Sequence, residues 1–228
     1  MLQTMSDALA DAVAVIRVGD VDELGRLLAA HSDLATAFLG TRSLLHVATD
    51  WPGHFPRVGD TIRVLVEAGA EVDVRFVGDH SETPLHWAAS SGDLEAVDTL
   101  LDLTADIEAD GGVIGGGTPL ADAVAFGQWE AARRLVERGA RVNLWQAAAL
   151  GMLQEVESLV RDESPDPDDL ANALWCACHG GQRATAEYLI THGADTSWEG
   201  HDGLTARGAA ERAGVAELAA WLAESGAR

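Results

Sequence analysis

A short motif returns along this chain at a fixed interval, and that return restricts the fold more than any other feature. Thr83-Pro84-Leu85-His86-Trp87-Ala88-Ala89 opens a unit that runs through Gly92 and Leu94 to Leu100-Leu101 and Ala105-Asp106. Thr118-Pro119-Leu120 opens a second, through Gly127 to Leu135-Val136 and Gly139-Ala140. Ser43-Leu44-Leu45-His46-Val47-Ala48 opens a third that closes with Gly69-Ala70, and the 171–195 stretch keeps Gly181, Tyr188-Leu189-Ile190 and Gly193-Ala194-Asp195. The period is roughly 33–35 residues, the mark of a repeat array. Each unit reads as two helices. Thr83 and Thr118 stand where an N-cap hydroxyl accepts from the first free amides. Pro84 and Pro119 follow, where no donor is needed, and Gly92 and Gly127 end the first helix. Leu100, Leu101, Leu135 and Val136 should face the stack. One helix pair cannot bury its own apolar face, so it needs neighbours on both sides.

The recurrence in register of the Thr-Pro-Leu-His opening, the mid-unit glycine and the Gly-Ala-Asp ending resembles the ankyrin repeat. The likeness covers nearly the whole chain, which also looks like the compact single-domain ankyrin proteins of actinobacteria. It implies an all-α fold, an ankyrin-repeat solenoid of about seven stacked helix-turn-helix units with short β-hairpin-like fingers. A single domain over 1–228 is expected, with an N-terminal capping repeat at 1–41, internal repeats at 42–202 and a C-terminal capping repeat at 203–228. The first pair lacks the Thr-Pro start. The last, from Thr205, carries Arg207, Glu211 and Arg212 where interior units carry apolar residues.

Composition narrows the function. Net charge is −22, and all 15 basic residues are Arg. A chain this acidic repels phosphate backbones, so nucleic acid is not an expected partner. Without Lys there is no P-loop lysine and no Schiff-base lysine. Apolar residues make up 47% and aromatics 5%, so the core must be built of Ala, Leu and Val. The Lys-free, Ala- and Arg-rich composition resembles that of a bacterium with a GC-rich genome. The two cysteines, Cys176 and Cys178, cannot make a disulfide framework. No basic region followed by an apolar run opens the chain, and no apolar stretch is long enough to span a bilayer. A cytoplasmic protein with no membrane attachment is expected.

Departures from the repeat are where function should lie. The loop 51–60 is about four residues too long, and the fingers 72–82 and 107–117 about two too long, the latter holding five glycines. Between Ala140 and Leu144 there is no finger. The groove should therefore be deep beside the second to fourth repeats and open beside the fifth. Aligning units on their glycines, with residues one helical turn apart on one face, puts five pairs on the concave side. They are Val47 and Trp51, Trp87 and Ser91, Asp122 and Phe126, Gln146 and Leu150, and Cys176 and Gly180. Inner helices of such stacks lie roughly 8–10 Å apart. Trp51, Trp87, Asp122, Phe126 and Gln146 should share a surface, with Trp145 beside it and Arg75, His80 and the glycine finger overhanging. Asp122 would be solvated in an open groove or paired with Arg75.

Several other signals read as structure. His46 and His86 should tie neighbouring repeats through finger backbone. A zinc site from His46, His80 and His86 lacks ligand spacing. The glycine finger lacks the lysine of a phosphate loop. Cys178 should pack in the core, and the acidic 162–169 loop lacks the spacing of a calcium loop. No metal and no cofactor are expected. The expected function is a non-enzymatic binding module engaging a basic or neutral protein partner through its groove. The alternative is a small-molecule binder for an apolar ligand, or a cofactor-free isomerase, cyclase or lyase using Asp122 with His80 or His86 as acid and base.

Overall fold

The computed structural model describes residues 4–200 and 202–225; the outermost positions of the expected capping repeats lie outside the described residues. The chain falls into two compact units, Met1–Ala140 and Arg141–Arg228. The boundary coincides with the place where the sequence lacks a finger. The first unit holds α1 (Met5–Val18), α2 (Val21–Ala30), β1 (Phe38–Leu39), β2 (Arg42–Ser43), α3 (Leu44–Thr49), α4 (Val58–Glu67), α5 (Pro84–Ser91), α6 (Leu94–Asp102), α7 (Pro119–Ala125) and α8 (Trp129–Glu137). The second holds α9 (Leu144–Leu150), α10 (Leu153–Glu163), α11 (Pro167–His179), α12 (Arg183–Thr191), α13 (Ala206–Arg212) and α14 (Ala216–Ser225).

In the first unit the inner helices α1, α3, α5 and α7 stack in order, as do the outer helices α2, α4, α6 and α8. Leu44, Leu45, Ile62, Leu65, Leu85, Leu100, Leu120 and Leu135 are buried between them, and Ala88, Ala89, Ala96 and Ala132 let the helices approach closely. Leu101 and Val136, expected to face the stack, are only half-buried. Arg134 pairs with Asp98 of the preceding outer helix, and Arg138 reaches Asp98 at 3.0 Å and Asp102 at 2.8 Å.

The caps differ in detail from expectation. Asp93 Oδ1 accepts from the Ala96 amide at 3.1 Å, an ordinary N-cap. Thr83 and Thr118 keep the extended backbone of an N-cap, but Thr118 makes no side-chain cap bond. Thr83 caps α5 in a capping box with His86, whose Nδ1 accepts from the Thr83 amide at 3.1 Å and lies 2.9 Å from the Thr83 hydroxyl. The fingers also differ. Among the described residues only β1 and β2 form a regular hairpin, pairing Phe38 with Ser43 and Leu39 with Arg42. The lengthened fingers are turns, tied sideways to their neighbours. The Val77 amide donates to Thr41 O at 3.0 Å, and the Ser81 amide to Gly111 O at 3.1 Å.

The second unit is built on one apolar cluster that includes Leu174, Ala177, Cys178, Leu189, Ala209, Ala210, Leu218 and Leu222. α9 and α11 pack so closely that a Cβ on Gly180 would sit 2.0 Å from Ala149 O. Gly180 has φ −80°, so alanine meets no backbone objection there, only the steric one. Gly180→Ala is expected to destabilise this unit by about 2–3 kcal/mol through overpacking. Gly25→Ala, in α2 with nothing near its Cβ position, should instead stabilise by up to about 1 kcal/mol. Urea unfolding checks both. An unchanged midpoint for Gly180→Ala would mean that the helices are not in this close contact.

Candidate functional site

The first unit carries most of the residues singled out by sequence. Trp51, just past the end of α3, is 80% exposed, and Phe126, just past the end of α7, is 53% exposed. Between them α5 presents Trp87, which is half-buried and fixed. Its indole N–H donates to Glu82 Oε2 at 2.8 Å, and its ring meets His46 edge-on at 4.9 Å and Phe76 at 5.7 Å. His80 stacks flat on Phe76 at 4.5 Å. Arg75 does not reach Asp122. It donates to Ser81 O at 3.0 Å and to Asp110 O, and pairs with Asp110 Oδ1 at 3.2 Å, joining two fingers. Val77 and Val113 are exposed at the tips of those fingers, with Ile114 next to Val113.

His46 and His86 are inter-repeat ties. His86 Nε2 bonds to Gly117 O at 3.1 Å and His46 Nε2 to Glu82 O at 3.1 Å. Since His86 Nδ1 accepts from an amide, Nε2 must carry the proton and donate. Burial lowers the pKa of both, that of His46 to about 4, so both rings are neutral at pH 7.

Asp122 is not solvated in an open groove: it is fully buried. The glycine finger folds over it, so closely that a Cβ on Gly112 would lie 3.0 Å from each carboxyl oxygen. Neither oxygen meets a donor in good hydrogen-bonding geometry; the Ile114 amide and the buried Glu82 carboxyl are its polar neighbours. Burial first, then the Glu82 charge and a side-chain hydrogen bond to Glu82, push the Asp122 pKa up to about 8, opposed by the Ile114 backbone. Glu82 escaped the sequence reading. Its signal was its position directly before the Thr83 cap, at the base of the finger. It collects the Trp87 indole, the Val113 amide at 3.1 Å and, at 2.9 Å, His80 Nδ1. The His80 contact is close but off the line of a hydrogen bond.

In the second unit Trp145 is half-buried at the side of a cleft of about 470 Å³ shared with Asn143, Glu163, Asp166, Asp169 and Asn172. Gln146, expected on the groove surface, is buried and closes a capping box. Its Oε1 accepts from the Asn143 amide at 3.0 Å, while Asn143 Oδ1 accepts from the Gln146 amide at 3.1 Å. Cys176 and Cys178 are unpaired and buried, which pushes both thiols up to about 12. Among the described residues no three His, Cys, Asp or Glu side chains converge to hold a metal ion.

Comparison with known proteins places this geometry. A family model described as ankyrin repeats, in three copies, matches residues 57–144. The putative ankyrin repeat protein FPV014 of fowlpox virus (strain NVSL) is 30% identical over 142 residues, 61% of this chain and 29% of the viral one. The chain thus spans less than a third of that relative's length. The crystal structure of the human ASB11 ankyrin repeat domain superposes with a TM-score of 0.56 at 21% identity, covering 90% of this chain and 96% of that one, and shows the same fold. With the motif recurring in register, the helix pairs stacked and three repeats matched over 57–144, the chain carries ankyrin repeats and has the ankyrin-repeat fold.

Proposed function

We propose that this protein is a non-enzymatic binding module that engages a basic or neutral protein partner through its concave groove. Ankyrin repeats generally act as protein-interaction modules. The observation that carries the reading here is the exposure of Trp51 and Phe126 at the ends of two inner helices. Large exposed aromatics are the side chains that most often anchor an interface. A net charge of −22 and the carboxylates of Glu163, Asp166 and Asp169 beside Trp145 favour basic side chains in the partner. The same charge disfavours nucleic acid. Unpaired buried thiols fit a cytoplasmic setting, and no described helix is long and apolar enough to cross a membrane. No observation favours the enzyme alternative, since Asp122 offers no exposed surface to a substrate and both ring nitrogens of His86 are occupied.

The test is affinity capture from lysate, followed by titration of the captured partner with purified protein. Trp51→Ala/Phe126→Ala should weaken that partner by about tenfold or more, since each anchor can contribute on the order of 2 kcal/mol. Its melting temperature should barely move, because both side chains are mostly in solvent. Trp87→Ala should weaken binding too and lower the melting temperature, as it frees Glu82 Oε2. Undiminished binding by the double variant would sink the groove assignment.

A further inference from the structure

The glycine finger rests on two carboxyl groups. From α7, Asp122 presents both oxygens to the backbone at Gly112. From the preceding finger, Glu82 Oε1 accepts from the Val113 amide at 3.1 Å. The two carboxyls thus lie against adjacent finger residues, Gly112 and Val113, and both are buried. If both were ionised, each would be an acceptor with nothing to accept from the other, and two like charges would face each other away from water. The cationic and titratable groups around them do not relieve this. Arg75 is committed to Ser81 and Asp110, and Asp110 adds a further negative charge at the finger. His86 donates to Gly117 O and His46 to Glu82 O, both as neutral rings. His80 Nδ1 lies 2.9 Å from Glu82 Oε2 but is not aligned for a hydrogen bond to it.

We propose that Asp122 and Glu82 share one proton and that this proton latches the glycine finger over α7. With it, an O–H on one carboxyl donates to the other, the pair carries a single charge, and Glu82 holds the Val113 amide. When the proton leaves, the second charge appears directly under Gly112. Gly111, Gly115 and Gly116 already have positive φ, so the segment can swing without steric penalty. The direction of the Asp122 shift agrees, since both burial and Glu82 favour its neutral form. The latch also deepens the interaction reading, on which this one consequence rests. The exposed Val113 and Ile114 sit on the latched segment, so a partner that docks on them meets an ordered tip only while the proton is held.

The test uses the free, full-length protein and needs no partner, so it stands apart from the capture experiment. Infrared difference spectra and amide exchange at Val113 and Ile114 are followed from roughly pH 6 to roughly pH 9, the span that brackets the shifted titration. Wild type should show a protonated-carboxyl band that disappears over this range. Over the same range the two amides should lose at least tenfold in protection relative to Asp122→Asn at the same pH. That variant keeps an N–H to donate to Glu82 and has no proton to lose, so it should lack the band and keep its finger protected throughout. A wild-type protein without the band near pH 6 overturns the latch. So does finger protection that stays constant while the band titrates, a comparison that needs no variant.

Discussion

His86→Ala is expected to cost the first unit about 3 kcal/mol, within a range of roughly 2–5, as measured by urea unfolding. The imidazole is fully buried and joins two repeats. Its loss leaves the Thr83 amide without a partner in the dry stack, a desolvated group costing about 1–3 kcal/mol, and takes one of its two donors from the Gly117 carbonyl, which keeps the Gly112 amide at 2.9 Å. It also leaves a ring-sized void between α5 and the glycine finger. A cost under about 1 kcal/mol would show that water replaces the ring, and that the histidine is no structural tie. The same chemistry predicts a pH dependence with two opposed slopes. His46 and His86 have lowered folded-state pKa values against an unfolded value near 6.5. The His46 contribution is therefore full above about pH 6.5 and is lost as pH falls toward 4, and His86 acts in the same direction. Asp122 is raised from 3.8 to about 8, so its contribution is full at low pH and lost as pH rises through 8. Between about pH 7 and 8 only the Asp122 slope remains. Asp122→Asn should flatten that fall and steepen the acid limb, where the Asp122 and histidine slopes oppose each other.

Much of this was legible because an ankyrin unit is specified locally. Pro84, Gly92, His86 and the Leu100 face each act within one unit or on its immediate neighbour, so the spacing of the motif locates the helices and the histidine ties. The finger missing between Ala140 and Leu144 was equally visible, and the division into two units falls there. The burial of Asp122 was not legible. It depends on a glycine finger folding back across the next inner helix, and nothing in the 107–117 composition says which way so permissive a segment turns. Pairing with Arg75 is one of the two surroundings that the sequence allows Asp122, beside solvation in an open groove. The structure gives Arg75 instead to the carbonyls and carboxylate of its neighbouring finger, which it reaches at the surface without being desolvated. Glu82 was overlooked because one acid before a Thr-Pro cap is unremarkable until its partners are known. Gln146 was a missed signal of another kind: Asn143 followed three residues later by Gln146 is a capping box, readable from sequence alone.

Ending the chain before Thr205 should abolish cooperative folding of the second unit and drive aggregation. α13 and α14 supply Ala206, Ala209, Ala210, Leu218, Ala219 and Leu222 to one buried cluster, and the surface they cover includes Leu174, Ala177 and Leu189. Deleting them removes that packing and turns the covered face to water. Exposing Leu174 and Leu189 alone forfeits about 1.5–3 kcal/mol each. A domain has only about 5–15 kcal/mol of net stability to lose. The outer face of the missing pair explains why solubility should fail together with stability. Arg207, Glu211 and Arg212 point to solvent, Arg207 pairs with Glu211 at 2.8 Å, and Arg212 pairs with Asp202. Exposed pairs of this kind contribute little folding energy. What they provide is a polar outer surface on a helix pair whose other face joins an apolar cluster. Size-exclusion chromatography and thermal melting of the truncated protein are the measurements. A monodisperse monomer with an unshifted melting temperature would mean that the last pair is an appendage and that the array ends at α12.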